Sequence, residues 1–431
     1  MTIQTELRRE ERLTRQDGAG PGARDVEREP CRILFVPGFV CDTYSEIERQ
    51  YVELCAAARK DVRYLWLVPD IRCRGNRFAR PALREKLAEP VWVPRLREHG
   101  VPYVVGNISR YNVVRNYRLF RDVFRRHRID AVYTHFGYER FWAAFFGRLW
   151  GKVTIWNEHW HSLGTRFVRF KRLFYGAFVD DFLAVSGFIG RTLPAGAAVH
   201  VFKNAVHPEE KRAASPEEAA RMRGALGIPP GAKVVLMVSA FRPNKRYDLA
   251  MRVCREVLNR REDVAFVFLG EGAMRPWVLE EARRCGLGSR IAAPGHVDDV
   301  DRYYALADVC MLTSTGEPCA LAIFEAMKHG RPLVAFHSGG TPEIVRDGAT
   351  GILVPEEDVH RFAEEVLGLL TDGRRRSEIG AAARESVRSE FNRAKWIGDL
   401  NRLLRNIVER RRNGRASIAA PPDRRSRVLR E

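Results

Sequence analysis

The sequence predicts an α/β protein of two doubly wound, Rossmann-like domains that face a central cleft. Short apolar runs alternate with helical patterns along most of the 431 residues, which marks parallel sheets. The alternation pauses once, near Asn204, and then restarts, which marks two units. The length suffices for two domains with full cores, and no fixed-period repeat is present.

Residues 1–30 are charged and contain Gly and Pro, so a disordered arm is expected. The first domain, 31–207, opens with a buried strand at 31–36 that runs into the loop Pro37-Gly38-Phe39. Further strands are expected at 63–68, 102–105, 131–134, 153–156 and 181–185, with helices at 111–127 and 138–150. Residues 208–230, polar and rich in Ala, Glu and Pro, read as an interdomain linker with a first helix. The second domain, 231–390, has strands at 233–238, 264–269, 290–293, 309–312 and 332–336. Residues 391–412 read as a C-terminal helix able to cross back to the first domain, and 413–431 as a disordered basic tail. Ligands of such sheets bind beyond the carboxyl ends of the strands, so the loops there are the candidate site.

The most informative of these loops follows the strand at 309–312. A turn containing Gly316 and Pro318 leads into an apolar helix at 321–328, which Gly330 and Pro332 stop. Glu317 falls just ahead of that helix and Glu325 in its second turn. The N–H groups of Cys319, Ala320 and Leu321 lie between them. A helix N-terminus has free donors and a positive dipole end, which suit a phosphate. The carboxylates can accept from sugar hydroxyls. Diphosphate plus sugar hydroxyls is the recognition problem of a nucleotide sugar. A second glycine loop, Ser338-Gly339-Gly340-Thr341, follows the strand at 332–336.

Other loops add cations and glycines. Arg242, Lys245 and Arg246 lie together after the strand at 233–238, and Arg and Lys both suit phosphate. For Arg246 a solvated turn is the expectation. Gly270 and Gly272 allow close approach of backbone to a ligand. Asp299-Val300-Asp301 has the spacing of a metal pair beside a diphosphate. Just ahead of a helix, such residues are more commonly N-caps and dipole partners, which is the expectation here.

The apolar fraction, 45%, is that of an ordinary globular protein, and no apolar run is long enough to span a membrane. The N-terminus lacks a signal-peptide pattern. Eight cysteines form no CxxC, so reduced structural thiols in the cytoplasm are expected. The net charge of +19 is unevenly placed: residues 72–128 hold 15 Lys/Arg against 4 Asp/Glu. Such a face suits an anionic partner, either lipid headgroups or nucleic acid. No nucleic-acid-binding signature is present, so an acidic membrane surface or acceptor is the preferred partner. In the segment 166–175, Phe167, Phe170 and Phe174 share one helical face among cations. They read either as core-facing or as part of a membrane surface.

Taken in order, these features resemble the family-four retaining glycosyltransferases of GT-B fold over roughly residues 199–391. The resemblance rests on the E-x7-E run E-P-C-A-L-A-I-F-E, on G-H-V-D-D-V ahead of A-D-V-C-M-L-T-S, and on S-G-G-T-P-E-I-V-R-D-G-A-T-G-I-L-V-P. It implies transfer of a sugar, with retention, from a nucleoside-diphosphate sugar to an acceptor hydroxyl. The nucleotide sugar is a substrate, and neither cofactor nor metal is implied. Glu325 then binds the ribose hydroxyls and Glu317 the hexose hydroxyls. Gly270, Gly272, Val297, Cys319, Ala320 and Leu321 line the donor. The family's diphosphate-binding Arg-x4-Lys pair falls on Ala240 and Lys245, a departure for which Arg242 is the candidate substitute. Ala320 stands where the family usually has glycine. Arg242, Lys245, Glu317 and His159 are the catalytic candidates.

The first half resembles the family more weakly. Pro37-Gly38 stands where Gly-Gly is usual, so Gly38 is an acceptor-side candidate. His159 and His161, after the strand at 153–156, compete for the histidine near acceptor and transferred sugar. His159 is preferred, and His135 is a further candidate. The implied acceptor is a saccharide or lipid-linked saccharide of cell-surface polysaccharide or glycolipid assembly. The implied place is the cytoplasm, peripherally at the inner face of the membrane. Two other readings stand beside this one: a nucleotide-sugar epimerase of the same fold, and a non-catalytic, membrane-associated assembly subunit.

Overall fold

The apolar run Cys31–Val36 becomes β1, the hub of a seven-stranded sheet, in a computed structural model. The structure describes residues 29–39, 45–58, 61–70, 87–159, 168–209 and 215–419, without the side chains of 168–171 and 414–419. The first 28 residues, the last 12, and His161, Phe167 and residues 72–86 lie outside it.

The first sheet continues with β2 (Val62–Val68), β3 (Tyr103–Val105), β4 (Ala131–Thr134), β5 (Val153–Glu158), β6 (Asp181–Ala184) and β7 (Val199–Val201). Its order is β3-β2-β1-β4-β5-β6-β7. The second sheet holds β8 (Lys233–Val238), β9 (Val264–Leu269), β10 (Ile291–Gly295), β11 (Val309–Leu312), β12 (Leu333–Phe336) and β13 (Ile352–Val354). Its order is β10-β9-β8-β11-β12-β13. Neighbouring strands are parallel throughout, for example Ile33 beside Tyr64 and Leu236 beside Val267. Val, Ile, Leu and Phe on both faces of the inner strands are buried, as sheets covered on both sides require, whereas the edge strands β3 and β7 leave Val105 and Val201 exposed. This is the two-domain, doubly wound fold that the alternation predicts.

In each sheet the order reverses once, between β1 and β4 and between β8 and β11. At such a switch point the flanking loops part and leave a crevice. Both sets of candidate residues sit there.

The two units are joined twice. Val206 N–H donates to Phe391 O at 3.1 Å, and Arg393 N–H donates to Val206 O at 2.9 Å, so the two crossings run side by side. Arg393 is fully buried and ties them to the Glu46–Ala57 helix through Glu46 and, at 2.9 Å, Glu53. The final helix, Arg393–Ala419, then lays Trp396, Leu400, Leu404 and Ile407 into the core of the first sheet with Phe35 and Trp66.

Several elements depart from expectation. The Glu46–Ala57 helix starts with a capping box, Ser45 with Glu48, a Ser-x-x-Glu pattern that the sequence displays. β7 and β13 have three residues each, too few to show a period. The last helix runs through Asn413 and Gly414 to Ala419, where a tail was expected. One helical glycine costs only about 1 kcal/mol relative to alanine, too little to end it. In the Val168–Phe178 helix, Phe174 packs on Phe141 and Phe178 with ring centroids 5.1 and 4.8 Å apart. At Phe174 the core-facing alternative holds.

Candidate functional site

At the second switch point the loops after β8 and β11 are stitched together. Thr313 Oγ1 donates to Lys245 O at 2.9 Å, and Thr315 N–H to Asn244 O at 3.3 Å. This brings Lys245, at the end of a short 3-10 turn, onto Glu317, and their side chains form an ion pair. Both are well covered, with 14% and 10% of their side-chain surface exposed.

The Leu321–Lys328 helix begins immediately beyond. No side chain caps it, so the first-turn N–H groups have no side-chain acceptor at the N-cap. Ala320 sits at the N-cap with φ −73° and ψ 118°, backbone that any residue adopts, so the usual glycine is not needed for conformation. Cys319 is packed between the cores of the two domains, and burial pushes its thiol up to about 12. Leu321 packs against the second core.

The glycine loop after β12 wraps behind Glu317. Gly340 N–H donates to Glu317 O at 2.8 Å. A Cβ on Gly339 would lie 2.4 Å from Glu317 O, and one on Gly340 would lie 2.0 Å from Pro318 O. These glycines are therefore required by close packing. Ser338 Oγ accepts from Gly316 N–H at 2.8 Å and donates to Glu356 at 2.6 Å. Past this loop, Glu343 reaches the first domain, where its carboxylate accepts from the N–H groups of Gly187 and Phe188, both at 2.7 Å. Lys203 donates to Glu343 O at 2.6 Å. Gly187, Phe188 and Lys203 do not stand out in the sequence.

Arg242 is exposed beside Lys245, and its guanidinium has no hydrogen-bond or ion-pair partner among the described residues. Arg246 is committed elsewhere: it sits in the left-handed region, φ 52°, and pairs with Asp248 and Glu357. Gly270 and Gly272 face protein: a Cβ on them would lie 2.2 Å from Ser239 O and 2.4 Å from Phe241 O. Their freedom lets the β9 loop brace the β8 loop. Val297 is half-buried against the second core.

Glu325 lies on the second turn of its helix, as expected. Its Oε2 is 2.7 Å from Lys328 Nζ, which also lies 2.9 Å from Asp301 Oδ1. His329 Nε2 lies 2.7 Å from the same Asp301 oxygen. Asp301 therefore corrects half of one expectation. It is not the N-cap: it opens the Asp301–Leu306 helix, where its charge still suits the dipole of the first turn, and its carboxylate faces Lys328 and His329. The hydrogen bond from His329, with the nearby Lys328 ammonium, holds its carboxyl well below the usual carboxylate range despite burial. Asp301, Glu325 and His329 present ligand atoms within 4.8 Å of one another, the spacing of a cation site. Lys328 already supplies a cation to two of them.

At the first switch point, Gly38 (φ 57°) presses on the β4 loop, where a Cβ would lie 2.1 Å from Phe136 O. Two of the three histidine candidates meet here. His135 Nε2 and His159 Nε2 are 2.8 Å apart, both buried among Phe39, Tyr51 and Phe136. Burial, with the Arg140 charge, lowers His159 to about 3, and burial lowers His135 well below its ordinary value. Both rings are neutral at pH 7, so one donates and the other accepts. His135 Nδ1 is left without a partner. Arg140 is held by Glu158 at 3.2 Å and lies over the Trp156 ring.

Residues 232–372 match the family model "Glycosyl transferases group 1". The chain is similar to N-acetyl-alpha-D-glucosaminyl L-malate synthase of Bacillus anthracis, 26% identical over 44% of this chain and 49% of that one. It is also similar to the GDP-mannose-dependent alpha-(1-6)-phosphatidylinositol monomannoside mannosyltransferase of Mycobacterium tuberculosis. That protein is 32% identical over 40% of this chain and 46% of its own. The chain thus spans about half the length of the curated relatives it matches. Its fold is that of Anabaena Alr3699/HepE, solved with UDP and glucose. The TM-score is 0.70 at 19% identity, over 86% of this chain and 98% of that one. Residues 232–372 thus match the glycosyl transferases group 1 model, and the chain carrying them has the GT-B fold.

Proposed function

We propose that this chain is a retaining, metal-independent glycosyltransferase that moves a sugar from a nucleoside-diphosphate sugar to an acceptor hydroxyl. The observation that carries the reading is the meeting of Lys245 and Glu317 at the second switch point, beside an uncapped helix N-terminus, with Glu325 one turn further on. The diphosphate lies on Lys245, Arg242 and the first-turn N–H groups. Glu325 accepts from the ribose hydroxyls and Glu317 from the hexose hydroxyls. Neither carboxylate is a nucleophile in this scheme. The acceptor attacks on the face the diphosphate leaves, and the departing diphosphate helps take the acceptor proton. The protein contributes positioning and stabilisation of the leaving charge.

The acceptor is a saccharide or lipid-linked saccharide of cell-surface polysaccharide or glycolipid assembly. It is reached by peripheral attachment to the anionic inner face of the cytoplasmic membrane. Around the basic Val113–Arg126 helix, Tyr111 and Val114 are 80% and 60% exposed among Arg110, Arg115, Arg118 and Arg121. Among the described residues no helix is long and apolar enough to cross a membrane.

The test is a panel of nucleotide sugars and free nucleotides read by thermal shift, since a bound donor raises stability by mass action. One donor family should raise the melting temperature, and that donor should then glycosylate an acceptor. No shift with any member refutes donor binding. A product formed from the donor alone identifies an epimerase instead.

A further inference from the structure

Glu325 does not stand alone on its helix. Its Oε2 meets the Lys328 ammonium, one turn further on the same face. Asp301, from a separate helix, grips that ammonium from the other side. His329 holds the Asp301 oxygen, and its ring stacks on Tyr304, centroids 5.1 Å apart and planes within 6°. The chain of contacts thus runs from a packed aromatic to an imidazole, a carboxylate, a lysine and finally Glu325. Only 8% of the Lys328 side chain is exposed, against 23% for Glu325, so the outer end of the chain is the one open to a ligand.

We propose that Lys328, anchored by Asp301, is a positioning residue that fixes the Glu325 carboxylate for the ribose of the donor nucleotide. This rests on the donor-site reading above. Lysine and glutamate side chains are both rich in rotamers, and ordering them before the ligand arrives removes a cost from binding. Lys328 also occupies the space between two carboxylates. Without it, Asp301 and Glu325 face each other with no ammonium between them, and the freer of the two, Glu325, turns away. Burial pushes the lysine toward neutrality, but Glu325 and Asp301 more than offset this, so it stays cationic. With His329, the two carboxylates have the spacing of a metal site, and the ammonium supplies the positive charge between them.

The experiment compares UDP with 2′-deoxy-UDP by calorimetry, or GDP with 2′-deoxy-GDP if guanine binds more tightly. The wild type should prefer the ribonucleotide, and Glu325→Ala should abolish the preference. Lys328→Met should weaken the ribonucleotide about tenfold, the worth of one charge-assisted hydrogen bond. It should leave the deoxynucleotide within about twofold and have no effect in the Glu325→Ala background. Asp301→Asn should act in the same direction, more weakly, and carries the test if Lys328→Met does not fold. A folded lysine or aspartate variant that keeps the wild-type preference overturns the positioning role. Equal weakening of both nucleotides overturns it too, since that is general damage to the site. In either case a selective effect of Glu325→Ala leaves the donor-site reading standing. Preference retained in Glu325→Ala refutes that reading and this inference together.

Discussion

Neutralising Glu317 should make the protein bind a free nucleoside diphosphate more tightly while making it a worse transferase. Without ligand, the Lys245 ammonium is already paired with the Glu317 carboxylate, and both are largely covered. An incoming diphosphate must share that ammonium and sit near that negative charge. Two unit charges about 4 Å apart interact by about 4 kcal/mol at an effective dielectric of ~20, so Glu317 opposes the diphosphate strongly. Most of that is offset by solvent and by the Lys245 pairing. A net gain of about 0.7–2 kcal/mol remains on Glu317→Gln, or roughly three- to thirtyfold in Kd for UDP or GDP. The amide keeps the shape of the side chain and some hydrogen bonding, so the fold should survive. For the intact nucleotide sugar the gain should be smaller, because a charge-assisted acceptor of hexose hydroxyls is lost, and turnover should fall. Calorimetry with free nucleotide and nucleotide sugar, beside initial rates, tests this. If Glu317→Gln weakens the free nucleotide, the carboxylate is not a competitor for Lys245 and the division of roles between the two glutamates is wrong.

The β8 loop should separate its cations: Arg242→Ala and Lys245→Ala should each lower turnover, for Lys245 by about 1.5–3 kcal/mol, while Arg246→Ala should leave it unchanged because its partners are Asp248 and Glu357. A silent Arg242→Ala would mean that Lys245 and the helix N-terminus hold the diphosphate without it. Vesicle sedimentation should show binding to phosphatidylglycerol-containing but not pure phosphatidylcholine vesicles, lost at about 1 M salt, where the Debye length is about 3 Å; equal, negligible binding to both favours a soluble acceptor. The buried histidines should make stability fall below pH 6.5. Unfolded histidine takes up a proton near 6.5, whereas His159 does so only near 3, so the unfolded state binds more protons between those values. Each such histidine contributes a slope of up to about 1.4 kcal/mol per pH unit, and melting curves of His159→Gln between pH 7 and 5 should be flatter than wild type. A parallel profile would mean that the ring already accepts a proton in the fold.

Much of the proposed donor side was legible because it is local. β11, its turn, the Leu321–Lys328 helix and β12 follow one another without interruption, so spacing alone ordered Glu317, the helix N-terminus and Glu325. Lys245 needed one further step, the rule that ligands meet loops at carboxyl strand ends. The first domain was legible as strands but not as a site. By spacing His159 competes with His161, two residues away, whereas the structure pairs it with His135 across adjacent strands. Pairing of that kind depends on strand order, which periodicity does not contain.

What stayed hidden shares one property: it joins residues far apart in the chain. Lys328 and His329 look like the polar end of an apolar helix, and only the approach of Asp301, 27 and 28 residues earlier, makes them a chain leading to Glu325. Arg393 looks like one more arginine in a basic C-terminal helix, yet it is fully buried between Glu46 and Glu53. A buried guanidinium costs heavily unless paired, so the two crossings beside it are held in one arrangement. Glu343 follows the same logic, since its partners at Gly187 and Phe188 lie 156 and 155 residues away. It fastens the loop behind Glu317 to the first domain, so the position of the Glu317 carboxylate depends on a contact made outside residues 232–372. A fragment cut to residues 232–372 would therefore keep Lys245, Glu317 and Glu325 and still lose the brace that sets the loop between the two domains.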